Sequence, residues 1–275
     1  MLLAALLSAG GASAQTAEQP KTETPGQASP SPQVPAVAPA SPASDAPRNV
    51  SVCDVPEHLL GSESPLPRVA KAIKAGKLNI LVLGSRSSII VGGTEKFSYP
   101  GQMLEALRQR LAPVEVNMTV EVQVKKTAEE LEPLVPKMLQ DNKPDLVIWQ
   151  TGTVDAMRAV DPDDFRTALD DVTALMMAAS DVVLLNLQYS PRTETMIAAT
   201  TYLDNMRVVA QQHSVPLFDR FAIMRHWHEA GDFDLFSASH GVELARKVHH
   251  CLGIALSRFI TDIAQGKPGE SGNTR

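Results

Sequence analysis

Three stretches, Leu78–Leu83 (LNILVL), Leu146–Gln150 (LVIWQ) and Val182–Asn186 (VVLLN), are near-continuous apolar runs. They are too short for buried helices and too uniformly apolar for strands with one wet face, so they read as strands covered on both sides. Two more mixed runs, Glu115–Gln123 and Val215–Phe218, complete a set of strand candidates. Between the strands lie helical stretches at Tyr99–Leu111, Ala128–Gln140, Pro162–Ala179 and Thr195–His213. A last helix, Val242–Ala264, sets Val242, Ala245, Val248, Cys251, Leu252, Ala255, Phe259 and Ile263 on one stripe. Strand and helix alternating throughout predict an α/β fold: a mainly parallel sheet between two layers of helices. In such a sheet ligands bind beyond the carboxyl ends of the strands, which singles out loops 84–93, 151–160 and 187–193.

The alternation begins only near Val50. Before it, residues 15–50 are rich in Pro, Ala, Ser, Thr and Gln, with prolines at 20, 25, 30, 32, 35, 39, 42 and 47. Such a composition buries too little apolar surface to offset its ordering entropy and predicts an extended linker. Residues 1–14 combine the apolar run Leu2–Leu7 with Ala12-Ser13-Ala14, a signal-peptidase-like site, although no basic residue precedes the run. The expected organisation is therefore a signal peptide (1–14), a linker (15–50), one folded domain (51–264) and a disordered polar tail (265–275), exported to the periplasm. No later stretch approaches the roughly 18 consecutive apolar residues of a membrane helix. A net charge of −6 offers no basic footprint for a phosphate backbone, so nucleic acid is not an expected partner.

The chain has two cysteines, Cys53 and Cys251, near the two ends of the folded part. In an oxidising compartment they would form one disulfide closing a very long loop, worth ~4 kcal/mol in the chain-entropy model; two unrelated buried thiols are the alternative. Neither has a second ligand at C-x-x-C spacing, so no metal and no cofactor is expected.

Five blocks in order, LNILVLGSRSS, SYPGQMLEALRQRL, PDLVIWQTGTVDA, LFDRFAIMRHW and HGVELARKVHHCLGIAL, resemble the SGNH (GDSL-like) hydrolases, with WQTGTVDA the most specific. The resemblance covers most of residues 52–262 and implies a flavodoxin-like three-layer α/β/α sandwich. It also implies ester hydrolysis or sugar deacetylation through a Ser–His–Asp set, with an oxyanion hole of two backbone N–H groups and an asparagine. Position by position, the expected machinery is missing. Arg86 stands where the family has its nucleophilic serine, and a guanidinium, always protonated, cannot attack a carbonyl. Lys125 stands about where the oxyanion glycine belongs, and Val154 replaces the asparagine. Loss of one oxyanion donor typically costs about 10²–10³-fold in rate.

The final Asp-x-x-His block fits in two registers. Without gaps, His240 takes the place of the aspartate and Glu243 that of the histidine; with a three-residue deletion, Ser237 replaces the aspartate and His240 stays the histidine. The ungapped register predicts an Arg86–Glu243 ion pair filling a retired active site. An active enzyme would need a displaced serine, Ser87 or Ser85, with His240 as base. Arg86 and Lys125 are candidates for binding an anion, such as an acidic glycan of the envelope; a protein partner is the other expectation. His226, His228, His249 and His250 lack the carboxylate or cysteine partners of a metal site and read as structural or surface residues, and Trp149 reads as core.

Overall fold

The computed structural model describes residues 53–90, 95–192, 198–236 and 241–267, all within one compact unit spanning residues 48–275. The expected leader, the linker and most of the tail lie outside the described residues, as do His240 and Ser237.

Five strands, β1 (Lys77–Gly84), β2 (Glu115–Val122), β3 (Leu146–Gln150), β4 (Asp181–Leu185) and β5 (Leu217–Phe218), form one sheet in the order β2-β1-β3-β4-β5, every pair parallel. β3 and β4 are buried at every position, and β1 from Ile80 onward. β2, at the edge, is mostly part-exposed, as its mixed composition requires. Nine helices surround the sheet among the described residues: α1 (Pro67–Ala75), α2 (Tyr99–Arg110), α3 (Ala128–Leu131), α4 (Val135–Asn142), α5 (Thr153–Met157), α6 (Pro162–Ala179), α7 (Ala199–His213), α8 (Arg220–Glu229) and α9 (Gly241–Ala264).

Every expected strand is present. The differences lie in the helices. The segment expected as one helix over 128–140 breaks into α3, a 3₁₀ turn at Glu132–Leu134 and α4, because Pro133 and Pro136 cannot donate to the preceding turns. Three helices, α1, α5 and α8, lie in segments not read as helical. α1 and α5 are only 9 and 5 residues long, too short to show a repeating apolar stripe.

α9 packs along α2, and Gly253 makes the close approach possible: a Cβ there would sit 2.7 Å from the Met103 backbone nitrogen. α9 also anchors the start of the domain through a Cys53–Cys251 disulfide, as the oxidised reading expects, across 198 residues. The same N-terminal segment is tied by the Trp227 indole N–H, which donates to the Asp54 carbonyl at 2.8 Å, and by an Arg258–Glu57 ion pair. Closing so long a loop removes much unfolded-state entropy. Cys53→Ser should therefore lower the unfolding free energy by about 2–5 kcal/mol, measured by denaturant titration, and reduction of the wild type should have the same effect.

Candidate functional site

The carboxyl ends of β1 and β3 meet at one side chain. Gln150, the last residue of β3, is buried, and its Oε1 faces four donors of the LGSRSS turn: the Ser85 N–H at 3.0 Å and the hydroxyls of Ser85 (2.7 Å), Ser87 (3.2 Å) and Ser88 (3.1 Å). An amide oxygen has two lone pairs, so the hydroxyls share it. Second contacts ease the crowding, with Ser85 and Ser87 oxygens 3.3 Å apart and Ser88 3.0 Å from the Tyr99 hydroxyl. The turn is a short 3₁₀ segment, Arg86–Ser88, capped by Ser85, which points Arg86 outward. Gly84 is required there, because a Cβ would sit 2.3 Å from the Ser88 hydroxyl oxygen.

Behind the turn lies Arg220, the first residue of α8 and only 1% exposed. Among the described residues its Nη1 and Nη2 reach Ser87 alone, at 3.4 Å to the carbonyl and 3.3–3.4 Å to the hydroxyl, and its Nε–H has no partner. Among the described residues no carboxylate pairs with it. The neighbouring Asp219 is engaged by Asn186, Arg207 and the Ala222 N–H. Burial pulls the guanidinium down to about 10, opposed by Tyr99, and at neutral pH it remains a cation. The Tyr99 phenol is pushed up chiefly by its own burial and stays protonated, so it is no counter-ion.

His249, on α9, accepts a hydrogen bond at Nδ1 from the Tyr99 N–H at 2.9 Å. Burial, reinforced by the Arg220 charge, lowers it to about 4, so the imidazole is neutral as that bond demands. On the far side, Asp155 is buried and accepts from the Ala128 N–H at 2.8 Å, joining α5 to α3. Its carboxyl is raised by burial, with backbone N–H bonds working against the shift.

Two adjoining hollows lie at this point and share part of their lining. An outer cleft of about 1010 Å³ is lined by Arg86, Ser87, Lys125, Val154, Met157 and Val242, among others. An inner chamber of about 220 Å³ holds Arg220, and Ser87, Gln188, Ala245 and His249 line both. Three of the positions read from sequence, Arg86, Lys125 and Val154, thus share the cleft with Ser85 and Ser87. Lys125 has φ +62°, the left-handed conformation that glycine adopts most readily.

Glu243 is not brought to Arg86. It is exposed and pairs with Arg246 at 2.8 Å, one turn along the same helix, while Arg86 has no ion-pair partner among the described residues. Helical periodicity explains the correction: Val242, Ala245 and His249 face the cleft, and Glu243, about 100° further around, does not. His228 is structural, accepting from the Leu235 N–H at 3.3 Å, and Trp149 and Trp227 are core. Sequence reading did not single out Arg220 or Gln150. Both fall inside the resembling blocks, but neither stands at one of the family's catalytic positions.

A parallel sheet with a serine-rich turn after its first strand and the Gly152–Asp155 turn after its third has the architecture of the SGNH hydrolases. Residues 52–266 match the non-GDSL lipase-like family, and the chain belongs to it. Among curated proteins none matches. Solved structures of the same fold include a variant of Axe2, an acetyl-xylooligosaccharide esterase from Geobacillus stearothermophilus, at 14% identity and TM-score 0.54, covering 73% of this chain and 95% of that one. LAE5, an α/β hydrolase enzyme from the metagenome of Lake Arreo, is 20% identical with TM-score 0.52, covering 66% and 96%. TesA is 20% identical with TM-score 0.50, covering 65% and 97%.

His249 makes the fold sensitive to acid. Its folded value of about 4 lies below the unfolded 6.5, so the unfolded chain takes up a proton first. The stability it contributes is complete above pH 6.5 and is lost as the pH falls toward 4, by up to about 3 kcal/mol. Thermal midpoints at pH 7.5 and pH 4.5 should differ more in the wild type than in His249→Asn, which keeps an acceptor but does not titrate.

Proposed function

We propose that this protein is a non-catalytic member of its family, exported to the cell envelope, where the cleft binds an anionic ligand. The observation that carries the reading is the state of the serines. Arg86 occupies the nucleophile's place, and Ser87, the serine that lines both hollows, contacts only Ser85, Gln150 and Arg220 among the described residues. None of these can take a proton as a general base. Val154, standing at the asparagine position, supplies no side-chain donor for an oxyanion. Arg86 and Lys125 put two exposed cations on the cleft wall, which favours an anion. The disulfide supports an oxidising compartment, and no helix among the described residues is long and apolar enough to cross a membrane.

One feature favours a second reading, an esterase or deacetylase with a displaced nucleophile. The Ser87 hydroxyl lies against a buried guanidinium, which would stabilise an alkoxide, and His240 would then have to act as base. Chromogenic short-chain esters and a fluorophosphonate probe separate the two. The binding reading expects no turnover and no labelling; labelling that Ser87→Ala abolishes would overturn it. Arg86→Ala and Lys125→Ala should each weaken binding of an anionic glycan fragment, with an effect that shrinks as salt is raised.

A further inference from the structure

Arg220 presents a physical problem that the fold does not resolve. Burying a cation without a counter-ion is among the more costly arrangements a core can contain. It heads α8, where the helix dipole is unfavourable to positive charge. Its only hydrogen bonds among the described residues are the long ones to Ser87, and one N–H has none. The chamber beside it shares its Ser87, Ala245 and His249 lining with a cleft of the opposite character. Val124, Met157 and Val242 line that cleft and are 48%, 71% and 42% exposed, an apolar wall left facing water.

Granted that the cleft binds rather than hydrolyses, we propose that its ligand is an amphipathic monoanion whose carboxylate sits on Arg220 in the inner chamber and whose apolar chain lies along the Val124–Met157–Val242 wall. The charge count selects a single negative charge. Among the described residues Arg220 is the one buried cation of the chamber, and His249 accepts from Tyr99 in its neutral form, so a dianion would keep an uncompensated charge in the interior. A carboxylate also matches the guanidinium fork. Arg86 and Lys125 at the mouth attract the anion, and the buried guanidinium retains it.

Calorimetry on the full chain with dodecanoate, dodecanol, dodecyl phosphate and acetate, each below its micellar concentration, tests this. Dodecanoate should bind about 10–100-fold more tightly than dodecanol, the range of a buried charge-assisted pair, and dodecyl phosphate no more tightly than dodecanoate. Acetate, lacking the chain, should be far weaker. The preference for dodecanoate should survive high salt, since buried pairs are little screened. Arg220→Met should erase the preference while leaving dodecanol binding and the thermal midpoint unchanged or raised, because an unpaired buried charge has been removed. Met157→Glu, an exposed substitution, should weaken both chain compounds.

Equal affinity for dodecanoate and dodecanol in the wild type would overturn the inference, as would a preference that Arg220→Met leaves intact. A lowered midpoint in Arg220→Met, with the wild type showing no preference, would make Arg220 structural and also refute it. Absence of binding by every chain compound defeats the inference and leaves the binding module to another ligand. Ester turnover or Ser87 labelling defeats the binding-module reading instead, whatever the affinities.

Discussion

Burying β1, β3 and β4 on both faces is the constraint from which the rest of the structure follows. Strands without a wet face must pair every backbone group within the sheet, and parallel pairing forces each connection to cross over the sheet through a helix. All strands then end on one side, and their last carbonyls and N–H groups must be satisfied by the loops beyond. Gln150 supplies part of this: its amide oxygen accepts the Ser85 N–H and organises the turn after β1 through the serine hydroxyls, and the turn's geometry determines which residue faces the cleft.

The same architecture lets cleft residues vary without loss of the fold. Arg86 is exposed, Lys125 is exposed, and Val154 is only part-buried, so none is required by the core. Asp155 and Gly152, which share the third block with Val154, are different. Asp155 holds the α3 N-terminus from inside, and Gly152 combines φ +84° with a close approach of Leu187 to where a Cβ would stand. The block therefore separates into Gly152 and Asp155, which maintain packing, and Val154, which lines the cleft.

The site keeps its polar cost in one place. A neutral His249, a protonated Tyr99 and a cationic Arg220 sit close together beneath the serine turn, each shifted mainly by burial. A domain with a dense core elsewhere can carry one unfavourable group of this kind, and such groups are found where ligands bind more often than where packing alone decides.

Most of the fold was legible from residue order. The apolar runs marked every strand, the stripe of α9 marked the helix that carries Cys251, and the five blocks pointed to the superfamily. The short helices α1, α5 and α8 escaped because periodicity needs length to show. At the site, the sequence by itself determined which side chains, Arg86, Lys125 and Val154, stand in the segments that follow β1, β2 and β3. Only the tertiary structure decided that Glu243 turns to Arg246, and that Arg220, about 130 residues from the serine turn, lies buried against Ser87. Pairing and burial depend on which helix faces come together in space, and no local pattern in the chain records that.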